Sequence, residues 1–259
     1  MKSLEKALRE LRDRGRKALV PYFVAGATPD WVRHVEAAVL AGADAVEIGI
    51  PFSDPMLDGV VIQEASLRAL QAGTTIDSIA ADLASIATSV PLIAMTYYNL
   101  LLHYGLERVA GTFRASGVNG AIVPDLTVEE SAAWRTASQP DDVATIFLVA
   151  PSTPIERVGL VTSVSEGFCY ASSRMAVTGS AVDAGDAEHV VARVRERSDL
   201  PTYVGFGIAT PEQARHAAGL SDGVIVGSAL VRVILDGGGA RDVERYIGTL
   251  RAALDSSID

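Results

Sequence analysis

Short apolar runs alternate with amphipathic stretches along the length of the chain. The runs lie at Ala18–Val24, Ala45–Gly49, Pro91–Tyr97, Gly120–Pro124, Ala144–Val149, Gly167–Ala171, Pro201–Gly205 and Gly223–Val226. Nearly continuous apolar character over so few residues is the mark of a strand buried on both faces. Each run is followed by apolar positions at helical spacing. Eight β/α units in about 250 residues predict a (β/α)8 TIM barrel. A further helix is expected ahead of the first strand, from about Ser3 to Arg14. No shift in composition marks a linker, so one barrel domain over residues 1–259 is expected. A doubly wound open sheet is the competing architecture. It would place a glycine-rich dinucleotide turn after the first strand, and Val24-Ala-Gly-Ala-Thr28 is not such a turn.

Local signals agree with the alternation. Thr28-Pro29, Thr153-Pro154 and Thr210-Pro211 each set a good N-cap ahead of a proline at the first helical position. Thr127 with Glu130, Thr153 with Glu156 and Thr210 with Gln213 have capping-box spacing. Two connections exceed what a barrel requires: Ile50 to Val60 after the second strand, and Ser172 to about Asp186 after the sixth. Long loops at this end of a barrel act as lids or substrate loops.

Composition narrows the chemistry. The formal charge of −10 and the sequence pI near 4.9 argue against nucleic acid and against an anionic membrane surface as partners. The densely charged N-terminus is unlike a signal peptide, and the apolar runs stop short of a bilayer span. One cysteine, Cys169, permits no internal disulfide, which points to the cytoplasm. The only lysines are Lys2, Lys6 and Lys17, none at the C-terminal end of a strand, so a Schiff-base aldolase is excluded. His34, His189 and His216 fall in helical patterns and His103 in a loop, without ligand spacing, so no metal is expected.

Three groups of residues carry chemistry. Glu47 is a carboxylate inside an apolar strand, near its C-terminal end and therefore at the barrel mouth. Asp58 follows in a loop stiffened by Pro51 and Pro55. Read singly, Glu47 fits a structural acid, while Asp58 and Asp54 fit turn or loop-bracing residues. As a pair, one carboxylate in an apolar setting can exchange protons while a better-solvated one stays charged. Second, Gly205-Phe-Gly207 and Gly227-Ser228 follow the last two strands, where these barrels bind phosphate on backbone amides and the start of a short helix. Val177-Thr178-Gly179-Ser180 is placed to close over the same group. Third, Tyr22, Tyr97 and Tyr170 lie near strand ends, where their hydroxyls want partners and suit a pocket for an aromatic ligand. Phe23, Phe147 and Phe168 read as core, and Cys169 as inert packing.

Together these residues resemble the tryptophan synthase α-subunit family. The most specific match is Glu47-Ile-Gly-Ile-Pro-Phe-Ser-Asp-Pro-x-x-Asp58-Gly. Tyr97-x-Asn99, Pro124-Asp-Leu-x-x-Glu-Glu-Ser131, Val177-Thr-Gly179, Gly205-Phe-Gly207 and Gly227-Ser228 support it. The resemblance implies retro-aldol cleavage of indole-3-glycerol phosphate to indole and glyceraldehyde 3-phosphate, with no cofactor. It implies that Glu47 is the general acid/base and that Asp58 accepts from the indole N–H. Tyr22, Tyr97 and Tyr170 would line the pocket, Gly179, Gly207, Gly227 and Ser228 would hold phosphate, and Thr178 would help to order Asp58. It also implies a pyridoxal phosphate-dependent β-subunit as partner in an α2β2 heterotetramer, docked around Pro51, Asp54, Asn99 and Val128. The chain departs from the family pattern at Gly26-Ala-Thr-Pro29, at Val60 and at Ala176, all in loops. The alternatives are a stand-alone indole-releasing lyase in a secondary pathway, a catalytically silent activator of a β-subunit, and a sugar-phosphate isomerase on the same barrel.

Overall fold

The computed structural model describes residues 1–86, 88–172, 184–205 and 207–256. Its strands are β1 (Ala18–Val24), β2 (Val46–Gly49), β3 (Leu92–Met95), β4 (Val118–Ile122), β5 (Ala144–Ile146), β6 (Leu148–Val149), β7 (Cys169–Ser172), β8 (Thr202–Gly205) and β9 (Gly223–Val226). All pair in parallel, in the order β5-β4-β3-β2-β1-β9-β8-β7-β6. The two ends of this order are consecutive in the chain, separated only by Phe147. β4 pairs with β5 and β7 pairs with β6, so one broken run closes the ring. The Phe147 carbonyl still accepts from the Tyr170 N–H at 3.1 Å, carrying the pairing across the break. The eight expected runs therefore form a (β/α)8 barrel.

The helices are α1 (Ser3–Asp13), α2 (Trp31–Leu40), α3 (Val60–Gln71), α4 (Ile76–Ala84), α5 (Tyr98–Tyr104), α6 (Leu106–Ala115), α7 (Ala132–Ser138), α8 (Ile155–Val164), α9 (Ala184–Arg195), α10 (Pro211–Leu220), α11 (Ser228–Leu235) and α12 (Ala240–Asp255). Among the described residues no helix is long and apolar enough to cross a membrane.

Period-2 alternation inside each apolar strand divides the core in two. Ala18, Val20, Ala45, Ile93, Ile122, Ile146, Phe168, Tyr203 and Ile225 fill the barrel. Leu19, Phe23, Val46, Ile48, Leu92, Phe147 and Cys169 face the helices. All three phenylalanines are thus core, as expected, though only Phe168 faces inward. α1 plugs the bottom: Leu4 and Leu8 join the interior cluster. Gly120 and Gly167 make room for Leu4, whose Cδ2 would lie 2.6 and 2.9 Å from a β-carbon at those positions. At the opposite end α3 roofs part of the mouth, packing Ile62, Ala65 and Ala69 on Tyr22, Val24, Val231 and Leu235.

The cap expectations hold at one helix of four. Thr210 and Gln213 form a reciprocal capping box on α10. Thr153 instead accepts from the Ala150 N–H at 3.0 Å, closing a turn before α8. Thr28 caps nothing, since α2 starts after Asp30 and the buried Thr28 Oγ1 has no partner among the described residues. Thr127 bonds the Glu130 side chain at 3.1 Å, but α7 begins beyond both. An unforeseen box, Thr75 with Ser78, starts α4. His103 is not in a loop but in the last turn of α5.

Candidate active site

Glu47 and Tyr22 are register partners on β2 and β1. Both point into the barrel, because their neighbours Ile48 and Phe23 belong to the outer shell. Glu47 is only 2% exposed, and its Oε2 has no hydrogen-bond partner among the described residues. Burial penalises its anion, and the charge at Asp58 adds to that penalty, so its pKa is raised to about 8.

Asp58 reaches the same space from the β2–α3 loop. A tight turn carries its N–H to the Pro55 carbonyl at 3.0 Å, and Gln63 in α3 donates to the Asp58 carbonyl at 2.9 Å. The Tyr97 hydroxyl donates to Asp58 Oδ2 at 3.2 Å and accepts from the Leu57 N–H at 3.1 Å. Phe52 stacks on the Tyr97 ring, centroids 5.0 Å apart. Burial raises the Asp58 pKa to about 6, and the Tyr97 hydrogen bond opposes the rise. Both shifts run upward, and the protonated form is favoured more strongly at Glu47 than at Asp58. Asp54 only braces the loop, accepting from Ser53 Oγ at 2.6 Å.

Tyr22 and Tyr170 line the same chamber. Tyr170 on β7 is buried, and its phenol is held well above the ordinary range by burial and by the charges at Glu47 and Asp58. Two glycines accommodate these rings. A β-carbon at Gly49 would overlap the Tyr22 hydroxyl, and one at Gly205 would overlap that of Tyr170. Gly205 thus has a packing reason to be glycine, set by the Tyr170 ring. Gly207 has φ +76°, a conformation that favours glycine, and holds the turn before α10.

The start of α11 is a candidate anion position. Gly227 and Ser228 lead into it, with no side-chain cap. First-turn amides lack partners within a helix, so those of α11 are available to an anion. The start of α10 differs, because Thr210 and Gln213 already consume its donors. Gly227 sits against the base of the Tyr22 ring, which links this end to the carboxylates. Thr178 and Gly179 lie outside the described residues.

Glu47, Asp58, Tyr22, Tyr97, Tyr170, Gly227 and Ser228 thus gather around one mouth, with Gly207 on an exposed turn beside it. The reading by pattern missed Gly49, Phe52 and the specific duty of Tyr97. Gly49 was findable, since it is the next inward position after Glu47. The Phe52–Tyr97 stack joins residues from separate β/α units, and no local pattern announces it. Cys169 faces the helices, its thiol pushed up to about 12 by burial.

Residues 8–253 match the family model described as tryptophan synthase alpha chain. The tryptophan synthase alpha chain of Streptomyces coelicolor is 43% identical over 90% of this chain and 88% of its own. That of Halorhodospira halophila is 42% identical over 100% of this chain and 97% of its own. Among solved structures, Mycobacterium tuberculosis tryptophan synthase superposes with a TM-score of 0.91 at 36% identity, over 98% of each chain. The alpha subunit from Legionella pneumophila gives 0.89 at 32% identity, over 99% of each chain. The chain belongs to the tryptophan synthase alpha chain family, lyases that cleave indole-3-glycerol phosphate in tryptophan biosynthesis.

Proposed function

We propose that Glu47 and Asp58 divide the proton chemistry of indole-3-glycerol phosphate cleavage between them. Glu47, neutral at pH 7, protonates indole C3. Asp58, ionised at pH 7, accepts from the indole N–H and balances the positive ring that results. Glu47, now a carboxylate, takes the proton of the side-chain hydroxyl. The O–H electron pair becomes the aldehyde π bond, the C–C pair returns to the ring, and indole and glyceraldehyde 3-phosphate leave. The observation that carries this reading is two unlike carboxylates in one buried mouth: Glu47 is 2% exposed with Oε2 unpartnered among the described residues, while Asp58 Oδ2 accepts from Tyr97 at 3.2 Å. The aromatic wall of Tyr170 suits the indole, and Tyr22 lines the way from the carboxylates to the start of α11. The phosphate binds the amides at Gly227 and Ser228, with Gly207 beside them; Thr178 and Gly179, the other expected phosphate contacts, lie outside the described residues.

The test is steady-state indole release by Glu47→Gln and Asp58→Asn. Each is expected to lower kcat by about a hundredfold or more. Full turnover by either variant would end this assignment.

The same reading gives the chain a tryptophan synthase β-subunit as partner, in an α2β2 assembly in the cytoplasm. Support comes from apolar residues exposed beside the mouth: Met56, Leu57 and Val60 are 73%, 43% and 71% exposed. They adjoin Asp54, and Asn99 at the start of α5 is exposed as well. Adding a β-subunit should stimulate indole release. Strong activity of the α-chain alone, with no stimulation, would favour the stand-alone lyase.

A further inference from the structure

Tyr22 carries a hydroxyl that the protein leaves free for a ligand. The residue is 8% exposed, and among the described residues nothing hydrogen-bonds its hydroxyl. A buried phenol ordinarily finds a partner, and an unmet one is unfavourable. The ring has a defined direction. Its base lies at Gly227, where a β-carbon would stand 3.6 Å from Tyr22 Cδ1 and 3.7 Å from Cβ. Its tip lies over Gly49, the inward neighbour of Glu47 on β2. Tyr22 therefore spans the mouth from the open helix start to the acid/base carboxylate. A substrate with its phosphate at α11 and its indole at Asp58 lays its three-carbon chain along this ring. The chain hydroxyl next to the indole then falls at the phenolic end.

We propose that Tyr22 is a further catalytic residue, donating a hydrogen bond to the substrate hydroxyl that Glu47 deprotonates. The proposal rests on the assignment of Glu47 given above. As Glu47 removes the proton, negative charge grows on that oxygen until the C–C bond breaks and the carbonyl forms. The phenol stabilises this charge and keeps its own proton throughout. Burial and the charges at Asp58 and Glu47 hold the Tyr22 phenol well above its ordinary pKa, so it remains a donor across the working range. No atom is transferred to or from Tyr22.

The test is Tyr22→Phe, which keeps the ring against Gly227. Two readouts are compared: kcat for indole-3-glycerol phosphate, and Kd for 3-(indol-3-yl)propyl phosphate, which has no chain hydroxyl. We expect kcat to fall by about ten- to a hundredfold, with Kd for the deoxy compound unchanged within about twofold. An unchanged kcat would overturn the proposal. So would an equal loss in affinity for the deoxy compound, because that result means Tyr22 only shapes the pocket. Glu47→Gln is assayed in parallel. If it is inactive while Tyr22→Phe is fully active, the Tyr22 proposal alone fails; if it is active, both fail.

Discussion

The Tyr97 hydroxyl donates to Asp58 Oδ2 at 3.2 Å while accepting the Leu57 N–H at 3.1 Å, so both of its ordinary hydrogen bonds go to one loop. Tyr97 therefore acts on the substrate through Asp58. Its bond favours the Asp58 anion against the burial that raises its pKa to about 6. Tyr97→Phe should raise that pKa further and move the acidic limb of the kcat profile to higher pH. Activity should partly recover on raising the pH by about a unit, since each unit restores roughly tenfold more ionised carboxylate on that limb. A profile that drops without moving would show that Tyr97 only packs.

The wild-type profile itself follows from the two carboxylates. Asp58 must be ionised, so activity is lost as pH falls through about 6. Glu47 must start protonated, so activity is lost as pH rises through about 8. A bell with its plateau between these values is expected in kcat/KM for the free enzyme. In Asp58→Asn the acidic limb should vanish from the residual rate. A profile flat from pH 5 to 9 in the wild type would contradict both assignments.

Glu47 also weighs on stability. Its ordinary pKa is 4.5 and its folded value about 8. Between these values the unfolded chain has released the proton and the folded chain has kept it, so folding stability falls as pH rises through this window. Each pH unit of separation corresponds to about 1.4 kcal/mol, and the total effect is a few kcal/mol at most. Glu47→Gln removes the titration. Its Tm should match the wild type near pH 4.5 and exceed it at pH 8, as thermal melts across that range would test. Equal melting at both pH values would mean the Glu47 anion meets no penalty.

How much of this was legible in the sequence depends on how local each cause is. Glu47 stood out because one carboxylate interrupts an apolar strand, and alternation alone fixes its inward direction. The barrel was legible for the same reason: eight continuous runs cannot be half-solvated. Thr153-Pro154 misled because a threonine before proline satisfies a turn as well as a helix, and here its oxygen bonds back to Ala150. Gly205 shows the limit of a single letter, because a glycine that yields to the Tyr170 ring and one that yields to a phosphate look alike in the sequence. Tyr97 was placed correctly at the mouth, but its bond to Asp58 joins residues from two β/α units, and only the closed ring brings them together.

The two glycines under the tyrosine hydroxyls give a further prediction. A β-carbon at Gly205 would overlap the Tyr170 hydroxyl. Tyr170 is hemmed in on one side by Phe168, centroids 6.3 Å apart, and Phe168 in turn stacks on Tyr203 at 4.6 Å. Gly205→Ala should therefore force Tyr170 into the chamber, costing about 1–3 kcal/mol in stability and raising KM for the substrate. Unchanged kinetics and melting would show that the ring has room the structure does not suggest.

The bottom of the barrel should respond in the opposite way. Leu4 is 1% exposed and fills the space left by Gly120 and Gly167, remote from the mouth by the length of the strands. Leu4→Ala leaves a cavity that the flanking strands cannot collapse into, because they are held in the closed ring by parallel pairing on both sides. The expected loss is about 2–5 kcal/mol, read as a lower midpoint in urea with an unchanged slope. The catalytic groups sit at the other end of β2, so kcat and KM at 25 °C should stay within about twofold of the wild type. A large fall in kcat with stability intact would mean that α1 is coupled to the mouth, and that the two ends of the barrel do not divide folding from chemistry.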